Sequence, residues 1–174
     1  MKKVFIISSI LIACVLIISL FSQEFTYVGA GKCKICHKSE KRGKQFPIWE
    51  ESTHSKSFAA LSSPDAASKA QEAGVENPVD SPKCLQCHAP FFEKAAEFKE
   101  EGVTCEVCHG PGSAYKKLKI MKSREESVKN GLVVYDSTEA IKTHCLTCHE
   151  NSHKGSFDFD ASWGKIKHPV PEKE

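Results

Sequence analysis

The sequence predicts a small, mainly α-helical domain wrapped around covalently held groups and preceded by an apolar N-terminal helix. Three observations predict it. Stretches with helical apolar periodicity begin at Pro or Ser and stop at Gly, the punctuation of short helices. The pattern Cys-x-x-Cys-His occurs four times: Cys33-Lys-Ile-Cys36-His37, Cys84-Leu-Gln-Cys87-His88, Cys105-Glu-Val-Cys108-His109 and Cys145-Leu-Thr-Cys148-His149. An almost wholly apolar run of 18 residues, Val4 to Phe21, follows Met1-Lys2-Lys3.

Cys-x-x-Cys-His is the attachment pattern of c-type haem. Thiols at i and i+3 project to one side and can bond the two vinyl-derived carbons of one porphyrin, and the next His lies under the iron. Zinc knuckles and disulfides also use Cys-x-x-Cys, but neither needs a His directly after it. His makes up 8 of 174 residues, so its chance placement after all four pairs has a probability of about 10⁻⁵–10⁻⁶. The expectation is four haem c groups on Cys33, Cys36, Cys84, Cys87, Cys105, Cys108, Cys145 and Cys148. His37, His88, His109 and His149 are then the proximal iron ligands.

Eight of the nine Cys are used in this way, leaving Cys14. Residues 23–174 provide about 38 residues per haem, too few for a conventional side-chain core around each one. The porphyrins must form most of the core. The formal charge of +2 comes from Lys2 and Lys3 alone. Haem propionates make the exported part acidic, and no aromatic-basic cluster points to nucleic acid.

The N-terminal 22 residues read as a signal peptide or membrane anchor, and residues 23–174 as the tetrahaem domain. A positive start and a long apolar run direct export through the Sec route, to the periplasm or the outer face of the cytoplasmic membrane. The run can just span a bilayer, so a retained anchor over residues 4–21, cleavage near Leu20-Phe-Ser22, and a lipoprotein box at Leu11-Ile-Ala-Cys14 stay open.

Along the exported part, Pro47 opens a helical reading with His54, Phe58 and Leu61 on one stripe. A His on such a stripe is ordinarily a hydrogen-bonded core residue. Among haem irons it becomes a candidate distal ligand. Ser63-Pro64 starts a polar, Ala-rich helix that Gly74 ends. Pro90 starts another, with Phe91, Ala95 and Phe98 on one face and Gly102 closing it. Phe91 and Phe92 are expected to pack on a porphyrin. Gly110-Pro111-Gly112 permits a sharp reversal after the third motif. Residues 113–130 read as a helix with Tyr115, Leu118 and Met121 inward, Met121 as core rather than ligand. Leu132 to Tyr135 reads as a short extended piece, and Asp136-x-x-Glu139 as a capping box leading into the fourth motif.

Three stretches together resemble the tetrahaem cytochrome c-554/c-prime family. They are Cys33-x-x-Cys36-His37 followed by Trp49-x-x-x-x-His54; Gly102-Val-x-Cys105-Glu-x-Cys108-His109-Gly-Pro-Gly112; and the downstream Phe-Asp leading to Lys-x-Lys-His168. The resemblance implies a mainly helical fold with closely stacked haem pairs and a role in electron transfer. It also implies that His54 is a distal ligand supplied before the second motif, that His168 serves the last haem, and that the haem on Cys84, Cys87 and His88 is five-coordinate. This chain is shorter and lacks the His that the family can place after Gly-Pro-Gly. A second resemblance, to small membrane-anchored tetrahaem quinol dehydrogenases, lacks the Met typical after their first motif.

The resulting expectation is an electron relay between other redox proteins, donor and acceptor cytochromes or membrane oxidoreductases, with no substrate of its own. No acid–base pair or nucleophile constellation stands out. The alternatives are quinol oxidation, or reduction of nitric oxide or another nitrogen oxide at the five-coordinate haem. Distal ligands come from His54, His168, His153 and His144, with His144 weakest because it directly precedes Cys145.

Overall fold

A computed structural model describes residues 24–150, 153 and 155–170. The apolar segment, Cys14 and the export readings attached to them lie outside the described residues. Within them the chain is helical: α1 Ala30–His37, α2 Gln45–Glu51, α3 Pro64–Glu72, α4 Pro82–His88, α5 Cys105–His109, α6 Leu118–Met121, α7 Arg124–Lys129, α8 Thr138–His149 and α9 Phe159–Ile166. Short 3₁₀ segments stand at Glu40–Arg42, Ala59–Ser62 and Ala96–Glu101. No strand occurs among the described residues, so the mainly α expectation holds. None of their helices is long and apolar enough to cross a membrane.

Local chemistry accounts for several boundaries. The Ser63 hydroxyl accepts from the Ala66 amide, with Pro64 in the first turn, and so starts α3. Asp158 accepts from the Ala161 amide and starts α9. The start of α8 falls one residue beyond the expected capping box: Ser137, not Asp136, accepts from the Ala140 amide.

Four elements are shorter or less regular than their periodicity implies. The stripe His54, Phe58, Leu61 does not lie on one helix, because α2 ends at Glu51 and Ser52 takes an extended conformation. Residues 90–94 form turns, and only 3₁₀ structure follows. Residues 113–130 are divided between turns, α6 and α7, because the Ser123 hydroxyl caps Glu126 and begins a new helix. Leu132 to Tyr135 forms no strand; the Val133 amide instead donates to the His109 carbonyl, tying this segment to the third motif.

The buried apolar residues are few, and half of them are small. Ala30, Ala70, Ala89, Ala95 and Ala114 stand beside Phe46, Leu61, Leu85, Tyr115 and Phe159. One cluster joins Leu61, Leu85 and Ala89 with Phe58, Val79 and Phe92 around the second motif. A domain of this length ordinarily buries far more than that in side chains alone. The helices are held instead by specific polar ties. Trp49 Nε1 donates to the Val103 carbonyl at 2.8 Å, and α1 packs on both α2 and α5.

Candidate functional site

All four Cys-x-x-Cys-His motifs close a helix. The final residues of α1, α4, α5 and α8 are His37, His88, His109 and His149. In a helical turn, residues i, i+3 and i+4 share a face, so each motif presents both sulfurs and its imidazole to one side. None of the eight cysteines is in a disulfide.

Three of these histidines face an imidazole from elsewhere in the chain. Ring centroids of His54 and His149 lie 6.1 Å apart with planes at 48°. His88 and His153 are 6.0 Å apart at 10°, and His109 and His168 are 5.8 Å apart at 44°. An iron between two imidazole nitrogens, each at about 2 Å, holds the ring centroids about 6 Å apart. The residues therefore fit haem irons with two axial histidines.

The outward ring nitrogens fit as well. His88 Nδ1 lies 2.7 Å from the Ser57 carbonyl, which can only accept, so Nδ1 carries the proton and Nε2 is left for metal. His37 Nδ1 lies 3.2 Å from Gln45 Oε1. The Gln45 amide nitrogen donates to the Pro169 carbonyl at 3.0 Å, which turns its oxygen toward His37. His109 makes the corresponding bond to the backbone of Val133. Burial pushes the pKa of His54 and His168 down, and that of His109 to about 4, with neighbouring imidazoles adding to the effect. These rings are thus held neutral, the form that ligates iron.

The structure brings together six of the eight sequence-derived histidines in facing pairs that the sequence did not assign. His168 lies opposite His109 of the third motif, not the last, and His54 lies opposite His149 of the fourth. His153 lies opposite His88, which differs from the expectation of an open second haem. His37 engages Gln45 rather than a partner imidazole. The His144 ring lies 5.3 Å from that of Tyr135, tilted by 45°, and within electrostatic reach of His109. Phe91 stacks on Tyr27 at 3.9 Å, and Phe92 joins the small core.

Sequence reading gave no role to Glu106, the residue between the third pair of cysteines. Its side chain is 2% exposed. One carboxylate oxygen accepts from the Gly112 amide at 2.7 Å, the other from Gly29 at 2.9 Å, and both lie 3.1 Å from the Val28 amide. Glu101 accepts from the Ala30 amide at 2.8 Å. Gly29 offers α1 no side-chain cap, so two distant carboxylates satisfy the amides at its start. A Cβ at Gly112 would crowd this carboxylate, standing 3.1 Å from Glu106 Oε1. The signal in the sequence was the fixed Cys-Glu-x-Cys-His-Gly-Pro-Gly string, which showed position but not partner.

Helix-terminal Cys-x-x-Cys-His motifs facing distant imidazoles are the arrangement of a c-type cytochrome. The family model for cytochrome c554 and c-prime matches residues 32–110, a span that holds the first three motifs. Cytochrome c-554 of Nitrosomonas europaea is 25% identical over 151 residues, which cover 78% of this chain and 62% of that protein. The chain thus spans somewhat less than two thirds of that relative's length. No solved structure matches. Together the two matches support the cytochrome c-554 family and, with it, covalently bound haem c.

Proposed function

We propose that this chain is an exported tetrahaem c-type cytochrome that relays electrons between periplasmic or membrane redox proteins. The observation that carries the reading is the set of three imidazole pairs about 6 Å apart, each joining a motif histidine to one outside the motifs. Each haem, when bound, supplies a one-electron couple. The eight cysteines fix four such groups, and residues 1–22 direct export and serve as signal or anchor.

The protein's part is positioning and electrostatics. Imidazole pairs at this spacing would hold an iron from both sides and keep substrates off it, which favours electron transfer over catalysis. The Gln45 amide joins His37 to the segment that carries His168, so the first and third motifs are held in register. Glu106 does the same between α1 and α5. Partners recognise exposed haem edges through surrounding charge.

A pyridine haemochrome assay on the pure protein should give four c-haems per chain, and fewer would sink the reading. A spectroscopically monitored redox titration with candidate protein donors should then show stepwise reduction. Direct oxidation of a quinol analogue in detergent would move the function to quinol dehydrogenase.

A further inference from the structure

We propose that the surface around the first motif, Cys33 to His37, is a docking surface for an acidic one-electron redox protein. This rests on the tetrahaem reading above and names the place where a partner meets the chain.

Exposure singles out this motif. Among the eight motif cysteines only Cys36 is exposed. Lys34 and Ile35, between its cysteines, are exposed too, Ile35 by 70%. Leu85 and Glu106 in the second and third motifs are buried instead. The first attachment point is thus the one that a second protein can approach closely. Exchange there makes and breaks no bond; one electron leaves the reduced centre and arrives at the oxidised one.

Charge agrees with exposure. Residues 32–44 hold Lys32, Lys34, Lys38, Lys41, Arg42 and Lys44 against Glu40 alone, and all six cations are exposed. A second basic run, Lys116 to Arg124, has five cations and no carboxylate, and its first residue lies within electrostatic reach of Cys33. The rest of residues 23–174 carries 11 cations against 21 carboxylates. Positive charge is therefore concentrated in two runs that border this motif. The pairs Lys34–Glu50 and Lys44–Glu40 are exposed and weak, and leave the field that steers a partner in place.

A run of lysines is ordinarily a solvated face, but here an apolar centre accompanies it. Val170, 86% exposed, follows Pro169, whose carbonyl accepts from Gln45 at 3.0 Å and stands 2.7 Å from where a Cβ on Gly43 would lie. Ile35 and Val170 are the most exposed large apolar side chains among the described residues, and both belong to this neighbourhood. A small apolar centre within a charged rim is the make-up of a transient redox interface. A lipid surface would call for aromatic anchors. Phe46 is buried instead, and Trp49 is bonded to the Val103 carbonyl.

The test mixes reduced flavodoxin, an acidic one-electron donor, with the ferric full-length protein in a stopped-flow spectrometer, with haem counted on the same sample. The rate of haem reduction should fall about tenfold from low to high salt. Lys38→Glu/Arg42→Glu should slow it about tenfold at low salt and little at high salt. Lys69→Glu/Lys94→Glu makes the same change in net charge on α3 and beyond the second motif, and should alter the rate less than about twofold. Equal slowing by both variants would overturn the proposal, because net charge alone would then govern the encounter. So would an unchanged rate in Lys38→Glu/Arg42→Glu. If that variant keeps the flavodoxin rate but loses binding to phosphatidylglycerol vesicles, the surface faces lipid and the assignment falls. A haem count below four sinks the tetrahaem reading, whichever way the rates turn out.

Discussion

The ring of His153 lies 6.0 Å from that of His88, with the two planes only 10° apart. His153 follows the fourth motif by four residues, yet it faces the second. In the tetrahaem reading this pair would hold the iron of the second motif from both sides.

Replacing His153 by Ala should convert one haem in four from low to high spin, and the same holds singly for His54 and His168. His144→Ala should not. Visible absorption and electron paramagnetic resonance of the ferric protein read this directly. A spectrum unaltered by His153→Ala would remove it from the ligand set.

Glu106→Ala should destabilise the protein more than any surface substitution. It strands the amides of Val28, Gly29 and Gly112 in a buried place, a loss of roughly 3–5 kcal/mol for several donors to a charged acceptor. Chemical denaturation followed by circular dichroism measures it. A change below about 1 kcal/mol would mean that the carboxylate is not what holds α1 to α5.

The Tyr115 hydroxyl should stabilise the fold at neutral pH and cease to do so in strong alkali. Tyr115→Phe loses the bond to the Gly110 carbonyl, worth about 1–2 kcal/mol with a buried acceptor left behind. Burial raises the folded-state pKa above the ordinary 10.0. A raised pKa means that the folded state binds its proton more tightly, so this contribution is complete below pH 10 and is lost as pH rises through the folded value. The stability gap between wild type and Tyr115→Phe should therefore be flat from pH 7 to about 9.5 and shrink above that. A gap that widens with alkali would reverse the assignment.

Gly110→Ala should impair folding around the third motif. Gly110 has φ of 75°, and a Cβ there would stand 2.6 Å from the Gly131 carbonyl oxygen. Strain of this kind costs about 1–3 kcal/mol before the clash is counted. Thermal melting and haem content of the exported protein should both fall. A melting temperature within error of wild type would show that the chain bypasses this contact.

Local chemistry was legible wherever the interacting residues were close in sequence. Ser63 with Pro64 foretold the start of α3, and the Cys-x-x-Cys-His spacing fixed which residues share a helical face. Longer helices were overestimated around His54, Phe91 and Tyr115. There the apolar spacing serves packing against turns and partner segments, and an apolar stripe cannot distinguish the two.

The sequence by itself determined the attachment motifs, the helical class and the roster of candidate ligands, because each depends on residue type and on spacings of three or four positions. Only the tertiary structure decided which imidazole faces which: His153 with His88, His168 with His109, His54 with His149, and Gln45 beside His37. These partners are separated by up to 95 residues, as His54 and His149 are. Pairings across such loops depend on how α1, α4, α5 and α8 pack and on the polar ties of Glu106, Ser57 and Trp49. Nothing in the local order of residues encodes those distances; they exist only once the chain has closed on itself.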